Sequence, residues 1–146
     1  MRDFELIRRA MTFAERKHEG QKDDSGDDYY HAHVFPVMEA VSSITGNSEV
    51  IAAAILHDTV EDTDTTYAEL VREFGKYVAN LVMEVSREGT NDNYGYYFPR
   101  LKTANAILIK LCDRASNIGR MESWDEKRKA QYLKRTKFWK DGSDRK

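Results

Sequence analysis

The chain has 146 residues, the ordinary size of one domain with one hydrophobic core. Its 23 basic and 25 acidic residues leave a formal net charge of -2, which gives no reason to expect nucleic acid or an anionic membrane as partner. No apolar stretch approaches the roughly 20 residues needed to span a bilayer, and the opening MRDFELIRRAMTFAERKHEG is amphipathic and carries acids, unlike a secretory signal, so a cytoplasmic protein is expected. The single cysteine, Cys112, excludes an internal disulfide, and its place in AILIKLCDRASNI reads as a buried thiol rather than a nucleophile.

In chain order the dominant period is helical. Phe4, Ile7, Met11 and Ala14 recur at spacings of three and four, predicting a first helix over about residues 3–18 that stops near Gly20. The polar loop QKDDSGDDYY follows. A second helix is predicted from about His33 to Thr45, and TGNSE then offers a stop and an N-cap, Ser48, for a third helix that ends about at HDTVED. DTTYAELVREFG has Thr66 and Glu69 at capping-box spacing, and Gly75 separates it from the helix KYVANLVMEVSREG. NDNYGYYFPR reads as a loop; Phe98 is expected to pack, and its tyrosines could stack a base or merely pack. LKTANAILIKLCDRASNIGRM is predicted to form one or two helices and DEKRKAQYLKRTKFWK a charged last one. No sustained alternation marks a sheet, so the fold class is all-α, one domain over residues 1–146.

Within AAAILHDTVEDTDTT, residues four apart share a helical face, which places His57 over Glu61 and Asp58 over Asp62. Such a group at the end of an apolar helix cannot be buried unpaired, because isolated buried charges cost several kcal/mol or more each. It faces water, partners or a cation. Imidazole beside carboxylate suits manganese, iron or zinc, whereas calcium and magnesium prefer oxygen alone. Further ligand candidates are His33 and Asp113, an acid inside an apolar run, with Asn117 one turn after Asp113. The alternatives are a surface charge cluster, and for Asp113 a structural salt bridge to Arg114 or Lys110.

In that order FAERKHEGQ, YYHAHVFPV, IAAAILHDTVEDTDTTYAELVREFG and ILIKLCDRASNI resemble the hydrolase domain of the RelA/SpoT family over about residues 10–120. These are HD-type metal phosphohydrolases that remove pyrophosphate from the alarmone (p)ppGpp. The resemblance implies a helical bundle in which His33, His57, Asp58 and Asp113 hold one manganese ion, Glu61 and Asp62 handle the attacking water, and Asn117 lines the nucleotide pocket. It also implies a stand-alone small hydrolase, since no synthetase domain follows. Positive partners for phosphate are sought among Lys17, Lys22, Lys110 and Arg114, with Lys22 and Arg114 joining Asn117 as the substrate-binding set; the commoner role of each such cation is a solvated side chain or an ordinary ion pair.

Two departures from the family pattern bear on substrate choice. Family members follow GQ with a basic pair used near the guanine base, whereas this chain has Asp23 and Asp24, so weaker selection for guanine is expected. The family commonly has proline after its ligand histidine, whereas His33 is followed by Val34 and preceded by His31, the fallback ligand. The main expectation is a manganese-dependent 3′-pyrophosphohydrolase of (p)ppGpp. The alternatives are a phosphohydrolase of another nucleotide and a non-catalytic nucleotide-binding member.

Overall fold

A computed structural model describes residues 3–86, 101–122 and 124–135. Among these the regular structure is helical, and a lone bridge between Lys22 and Asp28 is the one strand-like pairing. Eight α-helices follow in order: α1 (Phe4–Lys17), α2 (Phe35–Ser42), α3 (Ser48–Leu56), α4 (Thr59–Asp62), α5 (Tyr67–Phe74), α6 (Lys76–Val85), α7 (Ala104–Gly119) and α8 (Glu126–Arg135). The loop expected at 91–100 lies outside the described residues, as do the segments 87–89 and 136–140 of the predicted helices.

The core is built around α3. Every residue from Val50 to Leu56 is buried, and the helix packs against α1, α2, α6 and α7. A helix apolar on all sides is stable only when enclosed in this way. Its neighbours each contribute one stripe: Leu6, Ala10, Phe13 and Ala14 from α1, Val78, Ala79, Val82 and Val85 from α6, Ala106 and Ile109 from α7. At the α5–α6 junction Gly75 adopts φ 91°, which a residue with a Cβ rarely adopts, and this lets the chain reverse between two helices without a longer loop.

Several predicted boundaries move, each for a local reason. Asn47, not Ser48, caps α3, its side chain accepting from the amides of Glu49 and Val50. Helix α2 ends at Ser42 rather than Thr45. The helix expected to end about at HDTVED stops just before it, at Leu56. There the Nδ1 of His57 takes the Ala54 carbonyl at 2.6 Å, the Thr59 hydroxyl takes that of Leu56 at 2.7 Å, and Asp58 sits at φ -100°, ψ -1°. Side chains thereby use carbonyls that a continuing helix would need. His57 and Glu61 do not stack on one helix: His57 ends α3 and Glu61 lies on the short α4. Asp58 precedes α4, its carbonyl accepting from the amide of Asp62.

The other change lies ahead of α2. Tyr30–Val34 form a π-turn, with the amide of Phe35 bonded to the carbonyl of Tyr30 five residues back. Such a turn accommodates one extra residue per helical turn and is frequent at functional sites. His33 is fully buried, and His31 is exposed beside Asp28 and Glu15. Of the two histidines in HAHVF, His33 is the one turned into the interior.

Candidate active site

Three segments converge on one point inside the bundle: the π-turn brings His33, the broken end of α3 brings His57 and Asp58, and α7 brings Asp113. One nitrogen or oxygen of each lies within 4.8 Å of all the others, and all four residues are buried. His33 Nε2 is 2.9 Å from Asp113 Oδ1 and 3.3 Å from Asp58 Oδ2; His57 Nε2 is 3.2 and 3.0 Å from the same atoms. The two Nε2 atoms are 3.3 Å apart. Donors about 2.1 Å from a common ion and at right angles to one another lie about 3 Å apart, so these spacings fit a single transition metal ion.

The neighbouring groups fix which atoms face inward. The His57 Nδ1 donates to the Ala54 carbonyl, so its Nε2 lone pair is turned to the cluster. The His33 Nδ1 meets the Ser116 hydroxyl at 2.9 Å, which orients the ring with its Nε2 toward the cluster. Tyr29 donates its phenol to Asp58 Oδ2 at 2.6 Å, Lys110 its ammonium to Asp113 Oδ2 at 2.9 Å, and Asn117 its amide to Asp113 Oδ1 at 3.4 Å. Asp113 therefore answers both alternatives posed by the sequence: it pairs with Lys110 and also faces the histidines.

The electrostatics follow from the burial of these opposed charges. Burial works against charge on His33 and His57, but Asp113 and Asp58 outweigh it and raise both imidazoles. Asp58 and Asp113 are held well below the ordinary carboxylate range against their own burial, by His57 for the first and by Lys110 and His57 for the second. Burial and the nearby Asp58 carboxylate push the Tyr29 phenol up, so it stays protonated and remains a donor. Two carboxylates in a buried pocket ask for positive charge, and a divalent cation between four inward-facing donors meets that demand.

Glu61 is half-buried on α4, close enough that its charge contributes to raising the Lys110 ammonium, while Asp62 is exposed and its carbonyl accepts from Gln21. Asn117 and Lys22 line a cavity of about 230 Å³ that also touches Tyr29, Arg120, Trp124 and Tyr132. Arg114 is not a cavity residue; it turns to α8 and donates to the Leu133 carbonyl. Lys17 is engaged with Asp64 and Glu69. Cys112 is buried as expected, and burial raises its thiol.

Several site residues were not singled out from sequence. Ser116 and Arg120 lie three and seven residues after Asp113 and so share its face of α7, a spacing that could have flagged them. Tyr29 and Trp124 carry no local signal. Asp23 and Asp24 each hold an arginine across the cavity, Arg120 and Arg128 respectively.

Residues 10–95 match the family described as HD domain. The chain belongs to the HD-domain family. Over 90% of its length this HD-domain chain is 36% identical to guanosine-3′,5′-bis(diphosphate) 3′-pyrophosphohydrolase of Aquifex aeolicus, of which it spans 20%. It is 34% identical to a guanosine-3′,5′-bis(diphosphate) 3′-pyrophosphohydrolase of Xenopus tropicalis, across 90% of this chain and 80% of that one. Its fold matches the solved structure of a metazoan ortholog of SpoT, described as hydrolyzing ppGpp, with a TM-score of 0.75 and 28% identity over 88% of this chain and 79% of that chain. By these likenesses it is a RelA/SpoT-type member of the HD-domain family. Among the described residues no helix is long and apolar enough to cross a membrane.

Proposed function

We propose that the protein is a manganese-dependent hydrolase that removes the 3′-pyrophosphate from guanosine-3′,5′-bis(diphosphate) and its 5′-triphosphate counterpart, releasing GDP or GTP and pyrophosphate. The observation that carries this reading is the buried set His33, His57, Asp58 and Asp113, with its inward-facing nitrogens fixed by Ala54 and Ser116. The names of the Aquifex and Xenopus relatives supply the substrate class. Mixed nitrogen and oxygen donors favour manganese, iron or zinc over magnesium or calcium. A cytoplasmic setting, in keeping with the composition, belongs to the same reading.

The four ligand residues would hold one ion, which when bound screens the charge of the phosphoryl oxygens and lowers the pKa of water at the site. The remaining work falls to the chain's own side chains. Glu61, half-buried beside the cluster, accepts the proton of the attacking water, and Asp62 next to it supports that carboxylate. Lys110 offsets the charge of Asp113, and Tyr29 holds the carboxylate of Asp58 in place. Asn117 and Lys22, which line the cavity, orient the nucleotide. Arg114, which donates to the Leu133 carbonyl, is given no role in this reading.

A screen of divalent metals against guanosine-3′,5′-bis(diphosphate) tests the proposal. Manganese should support release of stoichiometric pyrophosphate and GDP. Release of orthophosphate alone, or turnover undiminished by removal of metal with a chelator, would reject it.

A further inference from the structure

The geometry points to Arg120 as a specificity-determining residue that meets the base of a bound purine nucleotide, with Asp23 as the residue that positions it. This rests on the nucleotide reading above and deepens it, since the loop acids at 23 and 24 gave reason to expect a base-side cation to be missing.

Arg120 ends α7 and lines the cavity next to Asn117. Both of its terminal nitrogens are committed: one donates to Asp23 Oδ2 at 3.2 Å, the other to Asn117 Oδ1. Asp23 is itself fixed, because its Oδ1 accepts from the amides of Ser25 and Asp27 at 3.0 and 2.9 Å. The result is a continuous chain from the loop through Asp23, Arg120 and Asn117 to Asp113 in the cluster. It holds the guanidinium plane over the Tyr29 ring, its centre 5.8 Å from the ring centroid.

One hydrogen bond at each terminal nitrogen fixes the orientation of the guanidinium plane and takes up part of its donor capacity. What it still offers is a cationic plane, the Nε–H and the second N–H of each terminal nitrogen. Arg120 Nε is buried and meets no acceptor among the described residues, and the same is true of Nε1 of Trp124, the neighbouring cavity residue. Buried donors in native structures nearly always have partners. Two unmatched donors beside a cationic plane and the rings of Tyr29, Trp124 and Tyr132 describe a site for a flat heterocycle that carries acceptors. Guanine presents O6 and N7 on one edge, and stacking on aromatic or guanidinium planes adds to binding. The plane that family members supply from the loop is here supplied from α7, and the loop acid becomes its anchor.

The test uses the manganese-loaded full chain and two readouts: steady-state pyrophosphate release from guanosine-3′,5′-bis(diphosphate), and equilibrium binding of GDP followed by tryptophan fluorescence. Arg120→Ala should raise KM and the GDP Kd by about tenfold with kcat within about threefold, the pattern of a lost binding contact. Asp23→Asn should move both constants the same way by less. Asp23→Arg and Arg120→Asp should each weaken GDP binding, and the double exchange, which restores a guanidinium–carboxylate pair, should recover most of the loss. If Arg120→Ala does not fold, Arg120→Lys decides in its place: it keeps charge but loses the plane, and GDP binding should still weaken. An unchanged GDP Kd in the Arg120 variant would overturn the inference, as would a fall in kcat accompanied by loss of metal, which would make Arg120 a prop for Asn117 and Asp113. A wild-type chain that binds GDP but releases no pyrophosphate would defeat the hydrolase reading while leaving Arg120 to be judged by binding. A wild-type chain that binds no GDP would defeat the inference itself.

Discussion

The metal cluster and the far wall of the cavity are neighbours with opposite construction. His33, His57, Asp58 and Asp113 are buried, lie at the ends or on the inner face of core elements, and are each held by at least one further group: Ser116, Ala54, Tyr29 or Lys110. The wall is made by a polar loop and the α7–α8 corner, joined by ion pairs of which Asp24–Arg128 is about half exposed. Packing determines the first region and pairwise charge the second. On the proposed function, a change in the cluster is therefore expected to remove chemistry, and a change in the wall to shift which substrate is accepted.

The largest expected effect breaks the cluster. His57→Ala together with Asp58→Ala removes an inward imidazole and a carboxylate, and elemental analysis should find metal lost along with all detectable turnover. Full metal occupancy in that double variant would contradict the ligand assignment. Next comes Glu61→Gln, which should keep the metal and lower kcat by roughly 10², the usual contribution of a positioned general base. Metal loss in that variant would make Glu61 a ligand instead. Tyr29→Phe sits at the border between the two regions, since it removes the 2.6 Å bond to Asp58 but keeps the ring under Arg120. Metal affinity should fall about tenfold, as for other outer partners of metal ligands, as measured by competition with a chelator.

The smallest effect belongs to the wall. Asp24→Asn breaks an exposed pair with Arg128, whose guanidinium remains stacked on Trp124 at 3.7 Å. Thermal unfolding should show a loss below about 1 kcal/mol, the scale of surface ion pairs. A loss several times larger would mean that the wall is as firmly determined as the cluster, and the contrast between the regions would fail.

The same contrast explains what could be read from the amino-acid order. Helical periodicity exposed α1, α5, α6 and α7, because each buries one stripe, and the capping pair Thr66–Glu69 and Gly75 marked their ends by local chemistry alone. Asp113 and the His57–Asp58 pair stood out because charged groups in or at the end of apolar runs need a partner, while the four as one ligand set followed from the family resemblance. The break between α3 and α4 was not, since it depends on His57 and Thr59 turning back to carbonyls that a helical pattern assigns to backbone amides. The π-turn before α2 was hidden for a related reason: one extra residue in a turn leaves composition unchanged and alters only the face that His33 presents. The pairing in the wall was not legible because it is long-range. Asp23 looked like the loss of a cation, and only the fold brings Arg120 across to it from 97 residues away.

The central claim is that this buried cluster serves to cleave a 3′-pyrophosphate. Its most direct test is product analysis of guanosine-3′,5′-bis(diphosphate) incubated with the manganese-loaded wild-type chain, with the His57→Ala, Asp58→Ala double variant run in parallel. Equal amounts of GDP and pyrophosphate from the wild type and none from the variant are predicted. An intact substrate after exhaustive incubation, or orthophosphate as the sole released product, would contradict the account.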